Sequence, residues 1–313
     1  MSKIKITQNN IALKWGLFIL LALIWGSSFE LMKLGLYENN DFAKPVLSAY
    51  QVAAFRLFFG GLVILPYGLN AYRLIPPDKR NYAILSGVLG SFIPAFLFCL
   101  AETKLTGSFA GTLNSLTPIF VLLVGAFFFG FRPQRVHVIG IIISFVGSIA
   151  LFFARGGNTG DLLYVGFVLI ATFFYGLNVN MVMNKLKSVP SMQIAALAFS
   201  FLTIPAGIVL LLCNTQQLNF SSVAIQKGIA ASATLGILGT TIASILFYSL
   251  MKKAGGVFAS AVTYAIPFVA MGWDIVHGEH FKAPVWICLI IILLGIYVIN
   301  YQPKKKEVTN TST

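Results

Sequence analysis

Glu30, Lys33 and Arg56 lie inside long apolar runs, where an ionisable side chain is expensive and marks a functional position by default. Glu30 can release and take up a proton, with Lys33 or Arg56 as counter-charge or as a clamp on a substrate carboxylate. The competing account is a structural ion pair. At about 100° per residue, Ser27, Glu30, Lys33 and Tyr37 form one stripe of the first apolar run, and Trp25, Ser28, Phe29 and Met32 form another. Only one stripe can fully face a cavity.

The other candidates are neutral. Asn114 and Thr117 share a face of one run, and Thr263 and Tyr264 occupy the matching part of a later one. Asn178 shares a face with Tyr175, whereas Asn180 is rotated from it by about 200°. With Ser28 these side chains supply donors and acceptors for a small solute, and Trp25, Tyr175, Tyr248 and Tyr264 supply rings to stack on it. Interhelical hydrogen bonding explains each of them equally well when taken singly. Pro118 and Pro267 fall in mid-run, where a missing N–H and a ring clash break the helical ladder, so they are candidate hinges. The small pairs Gly107/Gly111 and Gly256/Ser260 permit close helix packing, and Trp273 with Asp274 reads as an interfacial anchor.

His277-Gly278-Glu279-His280 superficially resembles a metal site but has no third convergent ligand elsewhere, so no metal is expected. GxxxxGK[ST], HExxH and GxSxG are all absent from the sequence. Neither nucleotide hydrolysis nor these hydrolase chemistries has support, no cofactor is implied, and the chain does not read as an enzyme.

The elements that hold these residues follow from composition. With 58% hydrophobic and 10% charged residues, the 313-residue chain cannot cover a soluble exterior. A helix needs about 20 apolar residues to span a bilayer, and ten segments qualify: 15–37, 47–70, 82–101, 107–130, 136–154, 163–184, 192–213, 227–250, 257–277 and 284–301. The fold class is all-α integral membrane, with lipid contact built in. The net charge of +13 sits between the apolar blocks, so it reads as topology and not as a nucleic-acid surface. Fifteen Lys and Arg fall on the side of both termini and five on the other, which puts the tails 1–14 and 302–313 in the cytoplasm. Cys99, Cys213 and Cys288 are far apart and read as packing residues.

The sequence also repeats. Lys104, Gly107, Phe109, Ala110 and Pro118 recur 149 residues later as Lys253, Gly256, Phe258, Ala259 and Pro267, and Gly87 and Gly90 recur as Gly236 and Gly239. Trp25-Gly26 matches Tyr175-Gly176 more weakly, which aligns Ser28 with Asn178. Five helices per copy is odd, so the second copy enters the membrane from the opposite side. The units are 15–154 and 163–301.

Trp25-Gly26-Ser27-Ser28-Phe29, the Ala53-Phe55-Arg56 stretch, and the repeated Pro118 and Pro267 segments, in this order, resemble the drug/metabolite transporter superfamily and in particular its ten-helix exporters built of two EamA domains. The resemblance spans nearly the whole chain. It implies a bacterial inner-membrane exporter of small organic metabolites, amino acids or drug-like solutes among them, with a central cavity and alternating access. Proton coupling is one energy source it allows. The Glu that often follows the ninth helix of the family is Glu279 here, but its counterpart after the fourth is Phe131. An exchanger of nucleotide sugars or sugar phosphates is the alternative, and a membrane enzyme or scaffold is a third reading that leaves the repeat without a purpose. Substrate identity, transport direction and oligomeric state are not legible in these residues.

Overall fold

The computed structural model describes residues 2–38, 41–154, 162–278 and 280–300. Glu279 and the tail 302–313, both weighed above, lie outside the described residues. The described residues are helical, with one isolated antiparallel bridge, Tyr37 to Pro45, closing the first connection. The helices are α1 (Ser2–Leu36), α2 (Ala49–Leu74), α3 (Pro77–Ala101), α4 (Gly107–Phe128), α5 (Arg135–Ala154), α6 (Leu162–Lys185), α7 (Ser191–Leu212), α8 (Val223–Ala254), α9 (Gly256–Val276) and α10 (Ala283–Asn300). Eight of them, all but the shorter α5 and α10, are long and apolar enough to cross a membrane. This is an integral membrane protein.

α1 begins at Ser2 and not near Trp15, because no Pro or Gly precedes Gly16 to stop the helix. Elsewhere the ends follow local chemistry. Ser48 and Gln51 form a capping box before α2, Pro77 opens α3, and Gly255, at a φ of 88°, separates α8 from α9.

Two kinds of irregularity shape the bundle, and each occurs twice. α4 is interrupted at Ser115–Leu116 between Gly107–Asn114 and Thr117–Phe128. α9 is interrupted by a 3-10 turn, Ala261–Tyr264, before Ile266–Val276 resumes. Pro118 and Pro267 each fall in the first turn of the resumed helix, where a missing N–H costs nothing. The expected kinks are therefore full breaks. Hydroxyls take up carbonyls at the breaks: Thr117 Oγ1 donates to Asn114 O at 2.7 Å and Thr263 Oγ1 to Ser260 O at 2.8 Å. α3 and α8 carry the second irregularity, π-helical segments at Val88–Phe92 and Leu235–Ile242.

Packing runs in matched pairs. α2 lies along α7 and α5 along α10, while α1 packs on α8 and α9, and α6 packs on α3 and α4. Small residues allow these approaches: Gly107 rests on Phe29 and Gly256 on Val179. Gly90 of the first π segment abuts Asn178, and Gly239 of the second abuts Ser28. Each glycine thus meets the residue that the repeat makes equivalent to the other's neighbour. All three cysteines are free.

Candidate functional site

The two π segments and the two helix breaks converge on one cavity. Of the sequence candidates, Trp25, Ser28, Asn114, Thr117, Tyr175, Asn178, Tyr248 and Thr263 line it, together with Arg56. Helix α1 therefore presents its Trp25/Ser28/Phe29/Met32 stripe to the cavity, while Glu30 and Lys33 face elsewhere. Tyr264 is not in the wall. It is fully buried in the core with no partner for its hydroxyl, because neighbours in a 3-10 turn are about 120° apart and Thr263 already faces inward.

The wall is aromatic with a few fixed polar groups. Phe98 stacks on Tyr175 with ring centroids 6.0 Å apart, and Trp25 meets Phe247 edge-on at 5.0 Å. Trp25 Nε1 donates to Gly239 O at 3.1 Å, a carbonyl within the π segment of α8. Arg56 is buried, and its Nε donates to Thr240 Oγ1 at 2.6 Å. No other hydrogen bond of its guanidinium is found among the described residues, which leaves its terminal nitrogens to a ligand. Asn178 Oδ1 is a buried acceptor with no partner. Asn180, by contrast, donates to Val121 O and Gly176 O and serves the packing of α6 on α4. No carboxylate lines this cavity.

A second cavity lies toward the start of α4 and the end of α9. Glu30, Lys33, Asp274 and His277 line it, and Phe29 belongs to both walls. His277 Nε2 is 3.6 Å from Glu30 Oε1, and Trp273 Nε1 donates to Ser27 Oγ at 2.9 Å. At the opposite ends of α3 and α6, Asp78, Lys79, Lys185 and Lys187 border a third opening. Among the described residues no group of three or more His, Cys, Asp or Glu is arranged to hold a metal ion.

One residue escaped the sequence reading. Glu102, directly after α3, is fully buried, and neither carboxyl oxygen has a hydrogen-bond partner. The Lys33 ammonium beside it donates instead to the backbone carbonyls of Glu102 (3.2 Å) and Leu105 (3.0 Å), and it lies 3.6 Å from the centroid of the Phe42 ring. Burial pushes the Glu102 carboxyl up to about 8, against the opposing pull of Lys33 and Arg56.

Known proteins share this fold and its division into two units. The model of the EamA-like transporter family matches residues 13–153 and again 162–301. An Escherichia coli (strain K12) protein named as the uncharacterised inner membrane transporter YedA is 22% identical over 292 residues, covering 91% of this chain and 90% of that one. A Salmonella typhimurium protein named "probable amino-acid metabolite efflux pump" is 26% identical over 174 residues, or 54% of this chain and 52% of its own. A chain of known crystal structure shares the fold at a TM-score of 0.66 and 19% identity, covering 91% of this chain and 95% of the other.

Proposed function

The chain belongs to the EamA-like transporter family, and from that premise we propose that it is a secondary active exporter of small organic carboxylates, amino acids foremost, working by alternating access between two inverted five-helix repeats. The observation that carries this reading is the central cavity, whose walls come from equivalent positions of both halves: Trp25 and Tyr175, Ser28 and Asn178, Asn114 and Thr263. A site at the meeting of two inverted repeats is reached from either side by rocking one against the other. In this reading ten helices cross the membrane, the units are 15–154 and 163–301, and both tails are cytoplasmic. A bacterial inner membrane is the location, in line with the name of the E. coli relative.

Substrate class follows from the wall. Arg56 is its one cation, facing aromatic rings and neutral hydroxyl and amide groups, with no carboxylate beside it. That set suits a single carboxylate attached to an apolar or aromatic body. Exchange of nucleotide sugars or sugar phosphates calls for several cations, and Lys33 belongs to the other cavity. The breaks at Pro118 and Pro267 serve as hinges. Replacing Pro118 by Ala restores the N–H and lets α4 run on, slowing turnover more than it weakens binding.

The test is counterflow of a pooled panel of labelled amino acids in proteoliposomes, with unlabelled carboxylates and matching amines without the carboxyl group as competitors. Competition by carboxylates alone, lost in Arg56→Ala, supports the reading. Equal competition by the amines removes Arg56 as the anchor, and no counterflow by the wild type removes the substrate class.

A further inference from the structure

Lys33 and Glu102 form a buried pair of ionisable groups that the solute cavity does not use. Their surroundings are specific. α1 brings Glu30 and Lys33 toward Glu102, Tyr37 follows directly after that helix, α2 brings Arg56, α3 itself adds Cys99, and Tyr164 of α6 acts on Tyr37. Lys33 also lines the second cavity, the outer one in the topology proposed above, with Glu30, Asp274 and His277, so one side chain reaches from water-accessible space to the backbone of Glu102. A structural role predicts that the carboxylate is hydrogen-bonded to the ammonium it neutralises. Here the ammonium is satisfied by two carbonyls, and the carboxyl oxygens have nothing. An ionised carboxylate would not persist without donors in such a place, whereas a neutral acid can.

The other half of the chain supplies a control. Under the internal repeat Lys33 corresponds to Met183 and Glu102 to Met251, and Met251 is likewise fully buried. The helix ends therefore pack well with two methionines, and the charged pair of the first half is not needed to hold them.

We propose that Glu102 is the proton-binding site of this transporter, taking its proton from the outer cavity past Lys33 and returning it when the site opens. Uptake forms one O–H bond on a carboxylate oxygen with a proton from water in the outer cavity. Release breaks that bond, passes the proton to water and leaves a carboxylate compensated by the Lys33 ammonium. No electrons move. The rise of the Glu102 carboxyl above its ordinary range agrees with a neutral acid in the state described here. Coupling of this proton to solute export rests on the transport reading above. Proton occupancy itself does not, and it is measured with no solute moved.

The experiment is a pH titration of the full chain in lipid nanodiscs, followed by infrared difference spectroscopy in the carboxylic-acid C=O region. The expected result is a band of an acid without a hydrogen bond, present at acidic and neutral pH, kept in Glu30→Gln and lost in Glu102→Gln. In Lys33→Met the same band persists to a pH higher by about one unit or more, because the ionised form has lost its cation. A wild type without such a band, or a band that survives Glu102→Gln, overturns the proposal. Should Glu102→Gln not fold, the Lys33→Met/Glu102→Met pair, which copies the second half, carries the same test. Failure of counterflow with the band intact would strike the transport reading and leave the proton site standing.

Discussion

The end of the first half that holds Glu102 and its counterpart in the second are built on the same frame and filled with opposite chemistry. Gly107 packs on Phe29 in one and Gly256 on Val179 in the other, at equivalent positions of the repeat. Around those contacts the first half places Glu30, Lys33 and Glu102, where the second has Asn180, Met183 and Met251. The shared frame answers to packing, which lets small residues bring helices together wherever backbone must approach backbone. The charges answer to something that the frame does not require. In the proposed reading, a transporter that opens alternately on two sides needs matched halves to rock, but only one of them needs to carry a proton.

The strongest way to break this comparison is to force the first half's chemistry on the second. Met251→Glu puts a carboxyl in a fully buried position whose neighbour by the repeat is Met183, with no ammonium in place of Lys33. We expect a loss of about 3–5 kcal/mol, the cost of an uncompensated buried charge, read as a collapse of folded yield in detergent. Adding Met183→Lys should recover part of it. Full yield for Met251→Glu alone would mean that the second site accepts charge as readily as the first.

A smaller effect separates the halves at their glycines. Gly236 and Gly87 are equivalent, but a Cβ at Gly236 strikes the backbone carbonyl of Arg56, whereas at Gly87 it meets Ala198 Cβ at 2.9 Å and Leu202 Cδ1 at 3.0 Å. Backbone cannot yield as a leucine methyl can. Gly236→Ala should cost about 1–3 kcal/mol and displace Arg56, lowering both thermal stability and counterflow, and Gly87→Ala should cost less. Equal losses in the two variants would show that α8 and α3 pack equally tightly.

The Glu102 carboxyl also predicts a pH dependence of stability. Between its ordinary value of 4.5 and its folded value of about 8 the folded protein holds a proton that the unfolded chain has released. The group's contribution therefore falls as pH rises through that window, by up to about 1.4 kcal/mol per pH unit. Thermal unfolding of the wild type should weaken from about pH 5 to about pH 8 relative to Glu102→Gln, with the two parallel below about pH 4. Parallel curves across the whole range would place an ordinary carboxylate at position 102.

Much of this organisation is legible in the residues. Each of the ten segments overlaps one helix, with α1 starting thirteen residues before its segment, because lipid demands long apolar runs and the demand is written in composition. Trp25, Ser28, Tyr175 and Asn178 could be brought to one place because the repeat pairs them before any coordinates do. Glu102 was hidden for a plain reason: it stands one residue beyond an apolar run and beside Lys104, where a loop acid looks solvated. The crossing of α1 above it buries it, and crossings are not a local property. Its one signal in the sequence was the mismatch with Met251 in an otherwise matched repeat. The π segment that turns Gly239 O toward Trp25 is equally invisible, since neither Gly239 nor its neighbours distinguish π from α.

The smallest effect concerns Tyr264, whose expected place in the cavity depends on helical rotation continuing through the break. The 3-10 turn ends that rotation, and the ring lies in the core with its hydroxyl unpaired, at the position equivalent to Ser115. Ser115 donates to Ser148 Oγ of α5 at 2.7 Å. The first half thus satisfies a hydroxyl that the second leaves stranded. Tyr264→Phe removes a buried group without a partner and should raise stability by about 1 kcal/mol while leaving counterflow unchanged. Ser115→Ala removes the donor to Ser148 Oγ, which keeps its own bond to Ser144 O at 2.9 Å, and should lower stability by about 0.5–1 kcal/mol. Thermal unfolding of the two variants side by side reads the difference in sign. A loss of counterflow in Tyr264→Phe would instead return this hydroxyl to the solute path and show that α9 rewinds at its break during the cycle.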